Sequence, residues 1–331
     1  MAHIRKMLIF VLVALLLSGC SSTLVDEAVP MAAESSVKSS TSPLAPAATA
    51  APSSAADKYK AEKPATEKAV ESKERLTAEN DCALIDYTDT AEGYVRVKYT
   101  GETEKRLKAQ VKGPATTYTY NIAPGEWATF PLSEGNGSYK ISIYENAYDS
   151  KYALVLSTQC DVKLKDEFVP FLHSNQYVDY EKAVNTLAKA DELTKGMDKE
   201  LQMVEAVYNY AVENIVYDTQ RAATVKSGYL PVLDSVLAEG KGICFDYAAL
   251  MTGMLRSQGV PCKLVVGYAG NVYHAWISVW TAAEGWIDGI IFFDGSQWHR
   301  MDPTFASGAD SSESIMEYIG DGSNYVEKYI Y

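Results

Sequence analysis

Three separated fragments between Gly240 and Thr304 constrain this chain more than anything else in it. They are GKGICFDYAALMTGMLRSQGV at 240–260, YHAWISVW at 273–280 and HRMDPTF at 299–305. In the first, Gly240 and Gly242 give a flexible approach to Cys244, and apolar residues follow at Ala248, Leu250, Met251, Met254 and Leu255 before Gly259 and Pro261. That spacing predicts a buried helix with Cys244 at its N-terminus. Unpaired backbone N–H groups at such a terminus favour a thiolate, and a neighbouring imidazolium favours it further. In the second fragment His274 opens an alternating run that reads as a strand. In the third, Asp302 precedes Pro303 at a strand end, where a carboxylate can accept the far ring N–H of His274 and fix its tautomer. Nucleophile, base and orienter then occur in that order.

The glycine-rich lead into Cys244, the GVPCKLVVGY segment, His-Ala-Trp at 274–276 and Asp-Pro-Thr at 302–304 together resemble the core of the transglutaminase-like superfamily. The likeness covers residues 180–310. It implies a papain-like α+β fold and a Cys244–His274–Asp302 triad; bacterial members of the superfamily include peptidases, amidases and surface proteins. One departure stands out. Between His274 and Asp302 the chain carries GWIDGIIFFDGSQW, an extra strand and turn, which leaves Asp288 and Asp294 as rivals to Asp302 for the imidazole.

The chemistry expected of such a triad is acyl transfer in two steps. Cys244 attacks an amide carbonyl, His274 protonates the leaving amine, and the thioester passes to water or to another amine. Backbone N–H groups near Cys244 would hold the oxyanion. Hydrolysis of peptide or protein amides, cell-wall peptides among them, is the first expectation, because nothing in the sequence marks a water-excluding lysine site or an EF-hand calcium loop. Protein-glutamine amine transfer is the second. A catalytically inactive surface-binding protein is the third, against which the intact Cys244, His274 and Asp302 count. No cofactor is expected. The four histidines, at 3, 173, 274 and 299, share no ligand spacing with a cysteine, so no metal site is expected either. His299 reads as a strand surface residue, and Asp246 as support for the first helical turn.

The rest of the chain reads as four parts. Residues 1–20 have the proportions of a signal peptide, and Leu17-Ser18-Gly19-Cys20 resembles a bacterial lipobox, which makes Cys20 the site of lipidation. The expected location is therefore extracytoplasmic, lipid-anchored to a bacterial cell membrane. Residues 21–80, rich in Ala, Ser, Pro, Thr, Lys and Glu, read as a disordered tether. Residues 81–168 hold short β-branched and aromatic runs separated by turn signals, which predicts a small immunoglobulin-like β-sandwich ahead of the catalytic domain at 169–331. This sandwich is read as a spacer or packing partner, with substrate or wall binding as the other reading.

Of five cysteines, Cys82 and Cys160 fall in the first and last strands of the sandwich and are a candidate disulfide in an exported protein. Cys262 reads as a buried thiol. Helices are predicted over EKAVNTLAKADELTK, over KELQMVEAVYNYAVENIVYD and over PVLDSVLAEG, with Tyr217 as a core aromatic. The formal net charge of −13 argues against nucleic-acid binding, and the 23 tyrosines point to core and interface packing.

Overall fold

Strict alternation of inward and outward side chains shapes the first half of the described chain. The computed structural model describes residues 25–26, 75–288, 291–293, 298–300 and 325–331. The leader with Cys20, nearly all of the 21–80 tether, Asp294 and Asp302 lie outside the described residues. Between 77 and 162 run β1 (Thr77–Glu79), β2 (Ala83–Asp86), β3 (Tyr94–Tyr99), β4 (Leu107–Lys112), β5 (Thr117–Ile122), β6 (Trp127–Pro131), β7 (Gly137–Tyr148) and β8 (Lys151–Val162). They form two antiparallel sheets, ordered β1-β2-β3-β6 and β8-β7-β4-β5, and Val25–Asp26 pairs with the outer edge of β8. Val95, Val97 and Tyr99 of β3 and Tyr118, Tyr120 and Ile122 of β5 alternate inward into one core shared by both sheets. Tyr120 stacks on Phe130 across it, with ring centroids 4.1 Å apart.

The second half is helical before it returns to sheet. It contains α1 (Val184–Leu193), α2 (Glu200–Asn214), β9 (Val216–Tyr217), α3 (Thr219–Thr224), α4 (Leu233–Glu239), β10 (Lys241–Gly242) and α5 (Cys244–Ser257). There follow β11 (Cys262–Ala269), β12 (Val272–Thr281), β13 (Gly285–Asp288), β14 (Ile291–Phe293), β15 (Trp298–Arg300) and β16 (Tyr325–Ile330). A four-stranded antiparallel sheet has the order β13-β12-β11-β16, and β14 pairs with β15. The three predicted helices are α1, α2 and α4, and α2 buries Val204, Val207, Tyr208 and Ala211 at helical spacing. Tyr217 sits half-buried in β9 against the core. The insertion after His274 forms β13, β14 and β15, more strand than a single extra one.

Helix α5 organises this half. Every residue from Cys244 to Arg256 is buried, between α1, α2 and α4 on one side and β11 and β12 on the other. A helix with no solvent face needs its ends satisfied by protein. At the start, Ile243 is extended (φ −92°, ψ 174°), and its N–H donates to the Asp246 carboxylate at 2.9 Å. Isoleucine has no side-chain acceptor, so only this half of a capping box exists. Asp246 also accepts from the Tyr229 hydroxyl at 2.7 Å and lies 3.5 Å from the Arg221 guanidinium. Gly242 is required here: a Cβ on it would stand 2.5 Å from that of Asp246. The approach to Cys244 is therefore fixed rather than flexible, since Lys241–Gly242 pairs in parallel with Val216–Tyr217.

At the other end Arg256 is buried and donates to three carbonyls: Cys262 at 2.9 Å, His173 at 2.7 Å and Tyr331 at 2.7 Å. Burial pushes its pKa down to about 10. One side chain thus ties α5, β11, the 173 segment and the strand ending at Tyr331. Replacing it by methionine keeps much of the volume but removes the donor to the Cys262 and His173 carbonyls, while the Tyr331 carbonyl keeps the Leu264 N–H. Arg256→Met is expected to lower the unfolding free energy by about 3 kcal/mol or more, as a urea titration would show.

Burial is the largest influence on Asp246 and raises its pKa, outweighing the donors that lower it. Protonation is then easier in the folded chain than in the unfolded one. The contribution of this group is fully present at low pH and is lost as pH rises past the ordinary carboxylate range. Relative to Asp246→Asn, the wild type is expected to lose stability as pH rises from about 4 towards 7 in the same titration.

Candidate functional site

Cys244 is the first residue of α5 and is 8% exposed. The N–H groups of Asp246 and Tyr247 both donate to the Ile243 carbonyl. Among the described residues the N–H groups of Cys244 and Phe245 have no acceptor, so the partial positive charge of the helix terminus is concentrated at the thiol. The Asp246–Tyr229–Arg221 network lies directly behind it and is tied outward by Arg221 to Glu239 at 2.9 Å. Tyr229 and Arg221 carried no signal in the sequence. They meet Asp246 only because β9 and β10 pair and bring the 218–230 stretch beside the start of α5.

His274 is the third residue of β12, opposite Gly267 of β11, and is 4% exposed. Its ring lies near those of Trp276 and Tyr325, each with centroids 6.3 Å away. The neighbouring Tyr273 is held above the usual tyrosine range, first by burial and to a smaller extent by several charges, Cys244 among them. Strand alternation directs Tyr273, Ala275 and Ile277 towards the core that contains Cys244, and His274 with Trp276 towards the other face. The structure therefore packs the α5 terminus against β12, while alternation directs the thiol and the imidazole to opposite faces of that strand. Phe245, Tyr273, Tyr229, Tyr177 and Tyr331 enclose a pocket of about 40 Å³ beside them.

Asp288 lies opposite Ser278, four residues along β12 from His274. Four residues of strand span roughly 13 Å, which takes Asp288 out of reach as the partner of this imidazole. The remaining carboxylates considered, Asp302 and Asp294, lie outside the described residues.

The other described cysteines, Cys262, Cys82 and Cys160, do not open a helix. Cys262 is buried with its thiol donating to the Thr252 hydroxyl at 3.5 Å, and burial pushes its pKa up to about 11. Cys82 and Cys160 are free, half-buried thiols in the structure and are not joined. Cys82 sits on the turn before β2 in one sheet, and Cys160 lies in β8 of the other, opposite Tyr139. His173 packs edge-on against Tyr94 with centroids 5.1 Å apart, and burial holds its pKa below the usual value. His299 lies in β15 opposite Phe292. Among the described residues no group of three His, Cys, Asp or Glu side chains is placed to hold a metal ion, and no helix is long and apolar enough to cross a membrane.

Part of the chain is similar to known proteins. Residues 187–303 match the model of the transglutaminase-like superfamily. The chain is 27% identical over 182 residues to YebA, an uncharacterised protein of Bacillus subtilis, covering 47% of this chain and 24% of that protein. It is 28% identical over 145 residues to a protein-glutamine gamma-glutamyltransferase of Pseudomonas aeruginosa, covering 39% and 20% respectively. The chain thus spans a quarter or less of the length of these curated relatives. A candidate cysteine protease of Cytophaga hutchinsonii overlays with a TM-score of 0.36 at 14% identity, covering 72% of this chain and 76% of that one. Red sea bream transglutaminase overlays with a TM-score of 0.27 at 12% identity, covering 66% and 48%. The assignment rests on the family match and on the mixed helix-and-sheet architecture around Cys244. Residues 187–303 of this chain form a domain of the transglutaminase-like superfamily.

Proposed function

We propose that this chain is an extracytoplasmic cysteine hydrolase of peptide or protein amides, held to a bacterial membrane through lipid on Cys20. The observation that carries the catalytic part is the position of Cys244. It opens a wholly buried helix, with two unpaired N–H groups beside it, and that helix packs on the strand bearing His274. In the proposed reaction the thiolate adds to the amide carbon and the oxyanion is received by the N–H groups of Cys244 and Phe245. His274 passes a proton to the leaving amine, and water then cleaves the thioester. Because His274 is directed to the far face of β12, thiolate and imidazole have to meet around the strand end at the helix terminus. Asp302 is the proposed orienter of the imidazole.

A second reading, amine transfer in place of hydrolysis, draws support from the likeness to the Pseudomonas gamma-glutamyltransferase. The two share the thioester and differ in what reaches it. Open access favours water, and the pocket against Phe245 shares Asn121, Gln176 and Leu230 with a groove of about 610 Å³.

Iodoacetamide is expected to modify Cys244 ahead of Cys82 and Cys160 near neutral pH, although Cys244 is the most buried of the three. His274→Ala is expected to slow that labelling and to cut amide turnover by at least about 10², while Cys244→Ala abolishes turnover. Labelling governed by exposure alone would defeat the enzyme reading. Incorporation of a labelled amine without net hydrolysis would select the transferase. For the anchor, Cys20→Ser is expected to move the protein from the membrane fraction to the soluble one, and unchanged fractionation would remove lipidation from this account.

A further inference from the structure

A groove of about 610 Å³ opens between β6 and the segment 173–182, within the roughly 300–1,000 Å³ of ordinary ligand clefts. It shares Asn121, Gln176 and Leu230 with the small pocket against Phe245 and Tyr273, the immediate neighbours of Cys244 and His274. Along one wall runs β6, an edge strand whose one sheet neighbour is β3.

The register shows which way its backbone points. Ala128 stands opposite Val97 and Phe130 opposite Val95, while the N–H of Leu132 donates to Gly93 and that of Gly125 to Tyr99. Residues 128, 130 and 132 therefore direct their N–H and C=O groups to β3, and Trp127, Thr129 and Pro131 direct theirs outward. Pro131, with no N–H to offer, suits that outward position. The Thr129 carbonyl already accepts from the Gln176 N–H at 3.1 Å, as a pairing strand would supply. The Thr129 N–H and both backbone groups of Trp127 have no partner among the described residues. At the groove wall the Asn175 Nδ2 and Gln176 Oε1 atoms, one donor and one acceptor, are likewise buried without a partner. Arg96, Lys182, Glu126 and Glu181 all line the same space, with Arg96 paired to Asp86 at 3.0 Å and Lys182 to Asp179 at 2.8 Å.

We propose that this groove seats an extended peptide segment of the substrate as an added strand on β6 and leads it to Cys244. The proposal rests on the reading of the chain as an amide hydrolase. A peptide is favoured over a glycan because the free groups repeat with the two-residue spacing of a strand edge, which a peptide backbone matches unit for unit. Side chains of both charges then flank it.

The test uses the full chain with Cys244→Ala and a fluorescein-labelled random decapeptide library, read by fluorescence anisotropy. Thr129→Pro removes one outward N–H and no sheet bond; Trp127→Ala removes a ring that is 40% exposed. Each is expected to weaken binding at least about fivefold, with the melting temperature unchanged, while Tyr148→Ala on β7 has no effect. With Cys244 restored, Thr129→Pro is expected to raise KM for long peptides and leave the iodoacetamide rate unaltered. Trp127→Ala decides the matter if Thr129→Pro fails to fold. Wild-type binding by the groove variants overturns the proposal, as does full displacement of the peptides by an N-acetylglucosamine tetramer. Peptide binding that depends on Thr129 in a chain that turns over no amide would uphold the groove and defeat the hydrolase reading.

Discussion

Burial of α5 on every side is the constraint on which the rest of the structure depends. A helix so enclosed has to end in charged groups that match its dipole, and this one does: Asp246 lies in its first turn and Arg256 in its last. Each is itself satisfied by neutral partners rather than by a single buried counter-ion: Asp246 by Tyr229 and the Ile243 N–H, with Arg221 at longer range, and Arg256 by three carbonyls. Spreading the charge over several dipoles offsets part of the desolvation penalty that an isolated buried ion would impose, and the rest shows in the raised pKa of Asp246 and the lowered pKa of Arg256. What remains unsatisfied is at the N-terminal end, on the N–H groups of Cys244 and Phe245, where a reacting carbonyl oxygen would arrive. Fold stability and the free N–H groups at Cys244 and Phe245 thus follow from the same packing.

This pattern divides what the sequence could disclose from what it could not. Apolar residues from Ala248 to Leu255 and the closing Gly259 announced α5, because helical period and burial are local properties of the string. The strands of 77–162 were legible for the same reason, through alternation such as that of Val95, Val97 and Tyr99. Gly240 and Gly242 were noticed and misjudged. Gly240 is in the left-handed region (φ 61°) and closes α4, and Gly242 admits the Asp246 side chain, so both fix the chain where composition suggested looseness. The role of Arg256 was invisible, since its three acceptors lie 6, 83 and 75 residues away. The groove was invisible as well, because an edge strand is defined by the neighbour it lacks, and no residue records that.

Tyrosines carry the junction between the sandwich and the helical half. Tyr118 and Tyr120 from β5 meet Tyr177, Tyr329 and Tyr331, with centroids 5.6–6.0 Å apart, and Tyr177 meets Tyr331 at 4.6 Å and Phe245 beside the thiol at 5.4 Å. The Tyr120 hydroxyl is buried without a partner among the described residues, at a cost of about 1–3 kcal/mol. Burying a ring of about 150–250 Å² contributes roughly 4–6 kcal/mol, so the packing outweighs the orphaned hydroxyl. The hydrophobic core consequently runs without a break from β5 to α5. Residues 81–168 are then a wall of the site region rather than a detached spacer.

A wall held in this way bears on what the thiol can meet. The pocket of about 40 Å³ against Phe245, next in the chain to Cys244, is too small for a folded surface to enter, whereas the adjoining groove of about 610 Å³ is lined by the edge strand β6. If the site acts as proposed, it therefore selects for chain conformation before sequence: a mobile segment can extend along β6 and present one amide to the sulfur, and a helix or a packed loop cannot. The same geometry admits water along the groove wherever the segment does not fill it. A thioester formed there would face solvent at high concentration, and for an amine to compete it would have to be held against the groove wall. Arg96 is already paired with Asp86 and Lys182 with Asp179, so Glu126 and Glu181 are the lining charges that would attract it. The balance between hydrolysis and transfer thus turns on how far the peptide already in place neutralises those two carboxylates.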